Sequence, residues 1–359
     1  MIKVGKVLKY TLRVSFIACF MYILIKVWNT MFLVYPLLPY NNHQRLGKSG
    51  DGEYVTFTRL KYPVRMLPNL SSLINATNPK FPLTVNASYL IENPKLCSSV
   101  HNLSVLVVVN SATNHFERRQ AIRETWTNDT YYPHLGTVRV LFLLGLSTNK
   151  TTQEIIGKEF EKHKDILQGD FIDTYFNITH KGVMGYKWLT ERCRNPKHIL
   201  KVDDDYLVNM FIYFQKIQHI KSVRKAHVYC DYRTTPIFRD KSIKWYVDED
   251  QFKGVKYYLN FCRGKFVSMT NDIIPSLYVS ASQTPFFKLD DVLLFGYVMH
   301  NVPALRYKTL VGVDMQDDNK VVMQCLDKNK DSCPYFVIQA GGKNQLTDTW
   351  SEIVKYFRH

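Results

Sequence analysis

Two unbroken apolar runs constrain the fold of this chain most: SVLVVVN at 104–110 and VRVLFLLG at 138–145. Neither alternates apolar with polar residues, and each is short and followed by a stretch of helical character. Runs of this kind predict strands buried on both faces of a sheet. Residues 117–126, 151–163, 179–194 and 210–223 read as helices, and 198–202 as a further short strand. The alternation predicts an α/β fold, a mostly parallel sheet with helices on both faces. A hydrophobic content of 46% with only 14 Pro and 16 Gly supplies the apolar surface for such a core.

The N-terminus is of another kind. Lys3, Lys6, Lys9 and Arg13 precede an almost wholly apolar run at 14–25, closed by Lys26 and Trp28. The stretch 10–28 approaches the ~20 residues that cross a bilayer, and the preceding charges place the N-terminus in the cytosol. The expected layout is a cytosolic tail at 1–9, a signal-anchor at 10–28, a stem at 29–96 and a lumenal domain at 97–359. Polar residues, Pro, Gly and Asn interrupt the stem throughout. Of seven cysteines only Cys19 falls in the span. Cys97, Cys193, Cys230, Cys262, Cys325 and Cys333 contain no C-x-x-C pair, which favours disulfides in an oxidising compartment, with the pairing open. Sequons begin at Asn69, Asn75, Asn86, Asn102, Asn128, Asn149 and Asn177.

The formal charge is +16, from 47 basic and 31 acidic side chains. The basic residues are dispersed, and no zinc-finger or RNP-like spacing occurs, so nucleic acid is not expected as a partner. The excess biases the protein toward anionic ligands.

Lys201-Val202-Asp203-Asp204-Asp205 ends a short apolar strand. Three successive carboxylates at a strand end repel one another unless a cation is present, and open α/β sheets bind ligands at that end. Manganese or magnesium suits oxygen ligands completed by substrate phosphates; a solvated acidic turn is the alternative. Asp290 and Asp291 precede a second apolar stretch, either as helix caps or as a general base for a substrate hydroxyl. Arg118, Arg119 and Arg123 form either a phosphate-binding group or a solvated helix face.

Taken together these segments resemble a known family. Arg119-Gln-Ala-Ile-Arg-Glu-Thr-Trp126 is similar to the R-x-x-I-R-x-T-W motif of the β1,3-galactosyltransferases and β1,3-N-acetylglucosaminyltransferases of glycosyltransferase family 31. Phe142-Leu-Leu-Gly145, the Asp170 to Lys181 segment, Lys201 to Asp205, Asp290-Asp291-Val292 and Trp350 follow in the family's order. The resemblance implies a GT-A fold and an inverting transfer of a hexose, galactose first, from a UDP-sugar in β1,3 linkage to a glycan on a glycoprotein or glycolipid. UDP-N-acetylglucosamine or UDP-N-acetylgalactosamine is the alternative donor, and a non-catalytic Golgi glycan-binding protein the alternative function. It implies that Arg119, Arg123, Lys201, Asp203 and Asp204 serve the nucleotide sugar and that Asp205 holds Mn2+ or Mg2+. Asp291 is the implied base, with Asp290 orienting the acceptor or capping the helix. A Golgi type II membrane location follows from the same comparison, with N-glycans expected at Asn69, Asn75, Asn86, Asn128 and Asn149, and Asn177 buried within a motif.

Two segments depart from the pattern. The family's Y-P-P-Y-C-S-G-x-G-Y reads Tyr257-Tyr-Leu-Asn-Phe-Cys262-Arg-Gly264-Lys-Phe, with one glycine and no proline. Gln339 stands where some members carry a metal-binding His.

Overall fold

Alternate residues of strand β2 (Leu103–Asn110) enter two different apolar cores: Val105, Val107 and Val109 face one, Leu106 and Val108 the other. This is why the run carries no polar alternation, since both faces of the strand are covered. The computed structural model describes residues 70–74, 88–218 and 226–358, all within one compact unit. From β2 the chain passes through helix α1 (Phe116–Glu124), β3 (Thr137–Leu146), α2 (Lys150–His163), β4 (Ile166–Ile172), α3 (Ile178–Arg192) and β5 (His198–Asp203). β1 (Tyr89–Ile91) precedes them, and β6 (Tyr206–Val208), α4 (Met210–Gln218), β7 (His227–Arg233) and β8 (Phe261–Thr270) follow.

The main sheet has the order β1-β4-β3-β2-β5-β8-β7-β9, with β9 at Arg306–Thr309. Its centre, β4-β3-β2-β5, is parallel throughout. β1 and β8 add antiparallel to β4 and β5, β7 pairs antiparallel with β8, and β9 returns parallel to β7. The predicted α/β class and parallel core are therefore present, with antiparallel additions that the apolar runs did not announce. A small sheet of β10 (Met315–Gln316), β11 (Val337–Gln339) and β6 sits beside the end of β5.

Helices cover both faces. α3 lies over Leu106, Leu141 and Leu143, together with α5 (Ile274–Gln283) and α6, a helical stretch running through Asp290–Val292, a π-helical turn at Leu293–Tyr297 and Val298–His300. α1, α2, α4 and the C-terminal α8 (Lys343–Phe357) cover the other face, with α7 (Asn319–Asn329) packed beside α8. Trp350 on α8 is buried, edge-on to Tyr131 and stacked on Phe211.

Three disulfides join Cys97 to Cys193, Cys230 to Cys262 and Cys325 to Cys333, in line with the expectation from the cysteine count. The expected start of the folded body at Cys97 needs correction. β1 is hydrogen-bonded into the sheet, Leu70 and Ile74 are buried in the core, and the Phe252 amide donates to the Leu73 carbonyl. Part of the segment assigned to a stem therefore belongs to the domain. The basic-flanked span at 10–28, most of the stem, the sequons at Asn69, Asn75 and Asn86, and the end of the helix expected to reach 223 lie outside the described residues. Among the described residues no helix is long and apolar enough to cross a membrane.

Candidate active site

β2 is followed by β3 and β4 on one side, whereas β5 returns to its other side. The crevice beyond the carboxyl ends of β2 and β5 is thus the topological switch point, where open α/β sheets take ligands. Asn110 and Asp203 are in register there, which brings Ser111 up against Asp204.

The aspartates do different things. Asp204 is buried; Ser111 Oγ and His115 Nδ1 lie 2.7 and 2.8 Å from its Oδ2, and Arg118 donates to Oδ1 at 3.0 Å. Burial alone would raise its pKa, but these donors hold it below the usual carboxylate range. Asp203 is 39% exposed at its side chain and accepts from Lys201 Nζ at 2.7 Å. Asp205 is half-buried, and the Gln339 amide is its side-chain neighbour at 3.4 Å. Burial, then repulsion from Asp203, pushes the Asp205 carboxyl above its ordinary pKa. Among the described residues no cation forms an ion pair with it. Among the described residues no group of three or more His, Cys, Asp or Glu side chains could hold a metal.

Lys201 connects this acidic turn to the second acidic pair. Its buried Nζ also donates to the Gly264 carbonyl at 2.5 Å, while the Gly264 amide donates to Asp291. The backbone of one β8 residue therefore bonds both the lysine and the aspartate. Asp290 and Asp291 begin their helix, where the dipole favours negative charge. That helix is held tightly against α3, because a Cβ at Gly182 would overlap the Leu294 side chain. Burial raises the pKa of both Asp290 and Asp291. Asp291's negative charge raises Asp290 further, and Lys201 opposes the shift at both. Each also accepts a backbone amide, from Asp291 at Asp290 and from Gly264 at Asp291. At Asp291, however, Lys201 opposes the shift most and Arg263 adds to that opposition, so Asp291 is the better site for the charge and Asp290 the better site for the proton.

Arg119 and Arg123 are placed differently from their expected role. Arg119 is 0% exposed. It donates to Glu159, to Ser111 Oγ and to the carbonyls of Ala112 and Thr113. Arg123 is committed to Glu159 and Asp165. Burial would raise the Glu159 pKa, but the two guanidinium groups more than reverse that and lower it. The donors of both guanidinium groups thus face protein acceptors. Arg118 is the arginine at the crevice edge, spanning Asp204 and the Gly341 carbonyl.

Sequence reasoning missed His115, Ser111, Lys181 and Glu159. Lys181 is buried, with Nζ 2.7 Å from the Ser111 carbonyl and 2.9 Å from Asp173. Its place in the Asp170–Lys181 motif was the available signal. No local pattern marks Ser111, which matters only because β2 and β5 are neighbours. Of the sequons, Asn149 is exposed and caps α2, and Asn128 is half-buried and accepts from Thr130. Asn177 spends its amide on the Ile172 carbonyl, and Thr179 of the same sequon is buried against the Phe287 carbonyl.

A parallel α/β core with acidic residues gathered at its switch point defines a protein that takes a ligand in that crevice. The Galactosyltransferase family pattern matches residues 117–309, more than half of the chain. The chain is 32% identical over 249 residues to lactosylceramide 1,3-N-acetyl-beta-D-glucosaminyltransferase B of Danio rerio, covering 66% of this chain and 64% of that protein. It is 27% identical over 292 residues to beta-1,3-galactosyltransferase 2 of Mus musculus, covering 80% and 65%. With beta-1,3-galactosyltransferase 1 of Homo sapiens it shares 31% identity over 207 residues, covering 57% and 62%. The match spans a little under two thirds of the length of these curated relatives. The chain belongs to the galactosyltransferase family, glycosyltransferase family 31.

Proposed function

We propose that this protein is an inverting β1,3-glycosyltransferase of GT-A type that moves a hexose, galactose first, from a UDP-sugar to a glycan acceptor. The observation that carries the reading is the Lys201–Gly264 link, through which one lysine and one backbone residue tie Asp203 on the donor side to Asp291 on the acceptor side. In the proposed reaction an acceptor hydroxyl oxygen bonds to the anomeric carbon while the bond from that carbon to the departing UDP breaks. The hydroxyl proton passes to the Asp291 carboxylate. Single-step displacement from the opposite face inverts the anomeric centre, which requires the base to be ionised and apart from the nucleotide acids.

Asp203 and Arg118 border the nucleotide crevice in this reading, and Asp204 fixes Arg118 and His115 there. Asp205 would hold a manganese or magnesium ion with oxygens of the donor, the mode in which these hard cations use one or two carboxylates plus substrate phosphates. The residues fit that mode, because Asp205 stands half-buried beside another carboxylate with its pKa raised. When bound, the ion supplies positive charge against the developing diphosphate. Gln339 stands beside Asp205 as a neutral neighbour. The N-terminal basic and apolar segment supports a type II anchor that places the domain in the Golgi lumen, with glycans at exposed sequons such as Asn149.

UDP-N-acetylglucosamine is the second reading for the donor, favoured by the glucosaminyltransferase among the relatives. A donor screen tests both. The full chain in detergent, given UDP-galactose, UDP-N-acetylglucosamine or UDP-N-acetylgalactosamine with manganese, is expected to transfer galactose most rapidly and to lose transfer with EDTA. UDP-sugar-independent glycan cleavage, or no turnover of any donor, would overturn the proposal.

A further inference from the structure

We infer that the acceptor side of this site is built for an anionic sugar, one carrying a sulfate or carboxylate group; the inference rests on the transferase reading above. The motivating feature is an exposed aromatic and lysine cluster drawn from separate parts of the chain. Tyr175 and Phe176, on the turn between β4 and α3, are 40% and 46% exposed, and Trp245, in the β7–β8 connection, is 45% exposed. Large rings left open to solvent on one surface mark an interaction site more often than chance packing. The rings are organised: Tyr175 and Phe176 meet edge to face at 5.4 Å between centroids, and the Trp245 side chain hydrogen-bonds to Tyr175.

Lysines crown this surface. Lys244 Nζ lies 5.0 Å from the Tyr175 ring centre and 4.9 Å from that of Trp245. Lys288 Nζ lies 5.6 Å from the ring centres of both Phe176 and Tyr246. Neither lysine forms an ion pair with an acid among the described residues, whose salt bridges engage other cations. Nearby, Tyr246 is hydrogen-bonded to Asp248 and Glu249 pairs with Arg239, so those acids have partners other than Lys244 and Lys288.

Position connects the cluster to the acids. Lys288 precedes Asp290 by two residues, which limits their Cα separation to about 7 Å. Tyr175 carries a pKa pushed up to about 12, by burial first and then by Asp290. The rings offer flat apolar faces to a sugar ring, with polar tips for its hydroxyls. The lysines add point charges suited to an anion on that sugar.

The experiment uses full-length protein in detergent with the benzyl β-glycosides of galactose, N-acetylglucosamine and N-acetylgalactosamine. Each is offered unmodified, 6-O-sulfated and as the 6-carboxylate. Binding is read by saturation-transfer NMR in the presence of UDP, and transfer by donor consumption. The sulfated or carboxylated form is expected to bind and react about threefold to tenfold better than its neutral parent, the range for a partly exposed charge contact. Comparing the two acids identifies which is preferred. Lys288→Gln and Lys244→Gln should erase that preference, with KM for the UDP-sugar within about twofold. Trp245→Ala should raise acceptor KM for neutral and anionic forms alike.

Equal binding of neutral and anionic sugars would overturn the inference, as would lysine variants that weaken UDP-sugar binding instead, since the lysines would then serve the diphosphate. Selective anionic binding without transfer of any sugar would sustain the glycan site and remove the transferase reading.

Discussion

Gly264 and Asp291 touch through the backbone of one and the carboxylate of the other, and a side chain at 264 would occupy the same space as Asp291 Oδ1. That Cβ would also lie 2.9 Å from Lys201 Nζ. The one glycine retained in the altered Cys262 segment is therefore the residue where a side chain would displace both the acid and the lysine. Gly264→Ala is expected to lower turnover by on the order of 10²-fold, the effect of a misplacement near 1 Å in a reacting group. UDP affinity should change little. Near-parental turnover, measured at saturating donor and acceptor, would sink the assignment of Asp291 to the reacting centre.

Arg119 supplies a different test, since its charge is wholly buried and shared with Glu159. Removing one partner of such a pair leaves an uncompensated charge, at a cost of about 3–5 kcal/mol. Arg119→Ala should lower the denaturation midpoint sharply. Arg118→Ala, at the crevice edge, should weaken UDP binding and leave the midpoint nearly unchanged. Titration calorimetry with UDP and urea unfolding separate the two; a stable Arg119→Ala with lost UDP affinity would restore the nucleotide role expected from its motif.

The contrast between these arginines also explains what the sequence could and could not reveal. The β2 and β3 runs were legible because burial on both faces leaves an uninterrupted apolar string. The Asp203 to Asp205 turn and the Asp290–Asp291 pair were legible as local clusters of like charge. β8 was not, because Arg263, Gly264 and Lys265 interrupt its apolar pattern for the sake of contacts made elsewhere: Arg263 to Asp231, Gly264 to Asp291 and Lys265 to Asp317. The partner of Arg119 lies on another helix, so a motif that names the arginine cannot say whether it faces a phosphate or a glutamate. β1 was read as stem because three residues, Tyr89–Ile91, carry too little periodicity to register as a strand.

Asp205 pairs with no cation among the described residues, and its dependence on manganese is directly measurable. Adding manganese with UDP should raise the melting temperature, as any ligand that binds only the folded state does. In Asp205→Asn the manganese-dependent part of that shift should vanish. Gln339→His places an imidazole next to Asp205 and should lower the manganese concentration needed for half-maximal shift. If Asp205→Asn responds to manganese like the parent, the ion is held elsewhere; an unchanged response in Gln339→His would remove only position 339 from its ligand set.

The acid pair itself gives the most discriminating prediction, because its two members should fail in different ways. Burial raises both carboxyls, yet the Gly264 amide and Lys201 stabilise charge on Asp291, while Asp290 is pushed up to about 8. A general base must be unprotonated to accept the hydroxyl proton, so kcat/KM should rise with pH along a limb lying above the ordinary carboxylate range. The sign for stability is opposite. A carboxyl whose folded pKa exceeds its unfolded value favours the folded state while protonated, so the parent should lose stability progressively as pH rises from the ordinary carboxylate range to about 8, and little more above it. Asp290→Asn keeps a neutral polar group there; it should flatten that loss and retain substantial turnover. Asp291→Asn should lower turnover by about 10²- to 10⁴-fold with UDP affinity nearly unchanged, because the hydrogen-bonding shape persists while the basic site is gone. Turnover and thermal unfolding of both variants across pH 5 to 9, taken as roughly the accessible range, decide the matter. Near-parental transfer by Asp291→Asn, or a dead Asp290→Asn that still binds UDP, would reverse the assignment of base and proton holder.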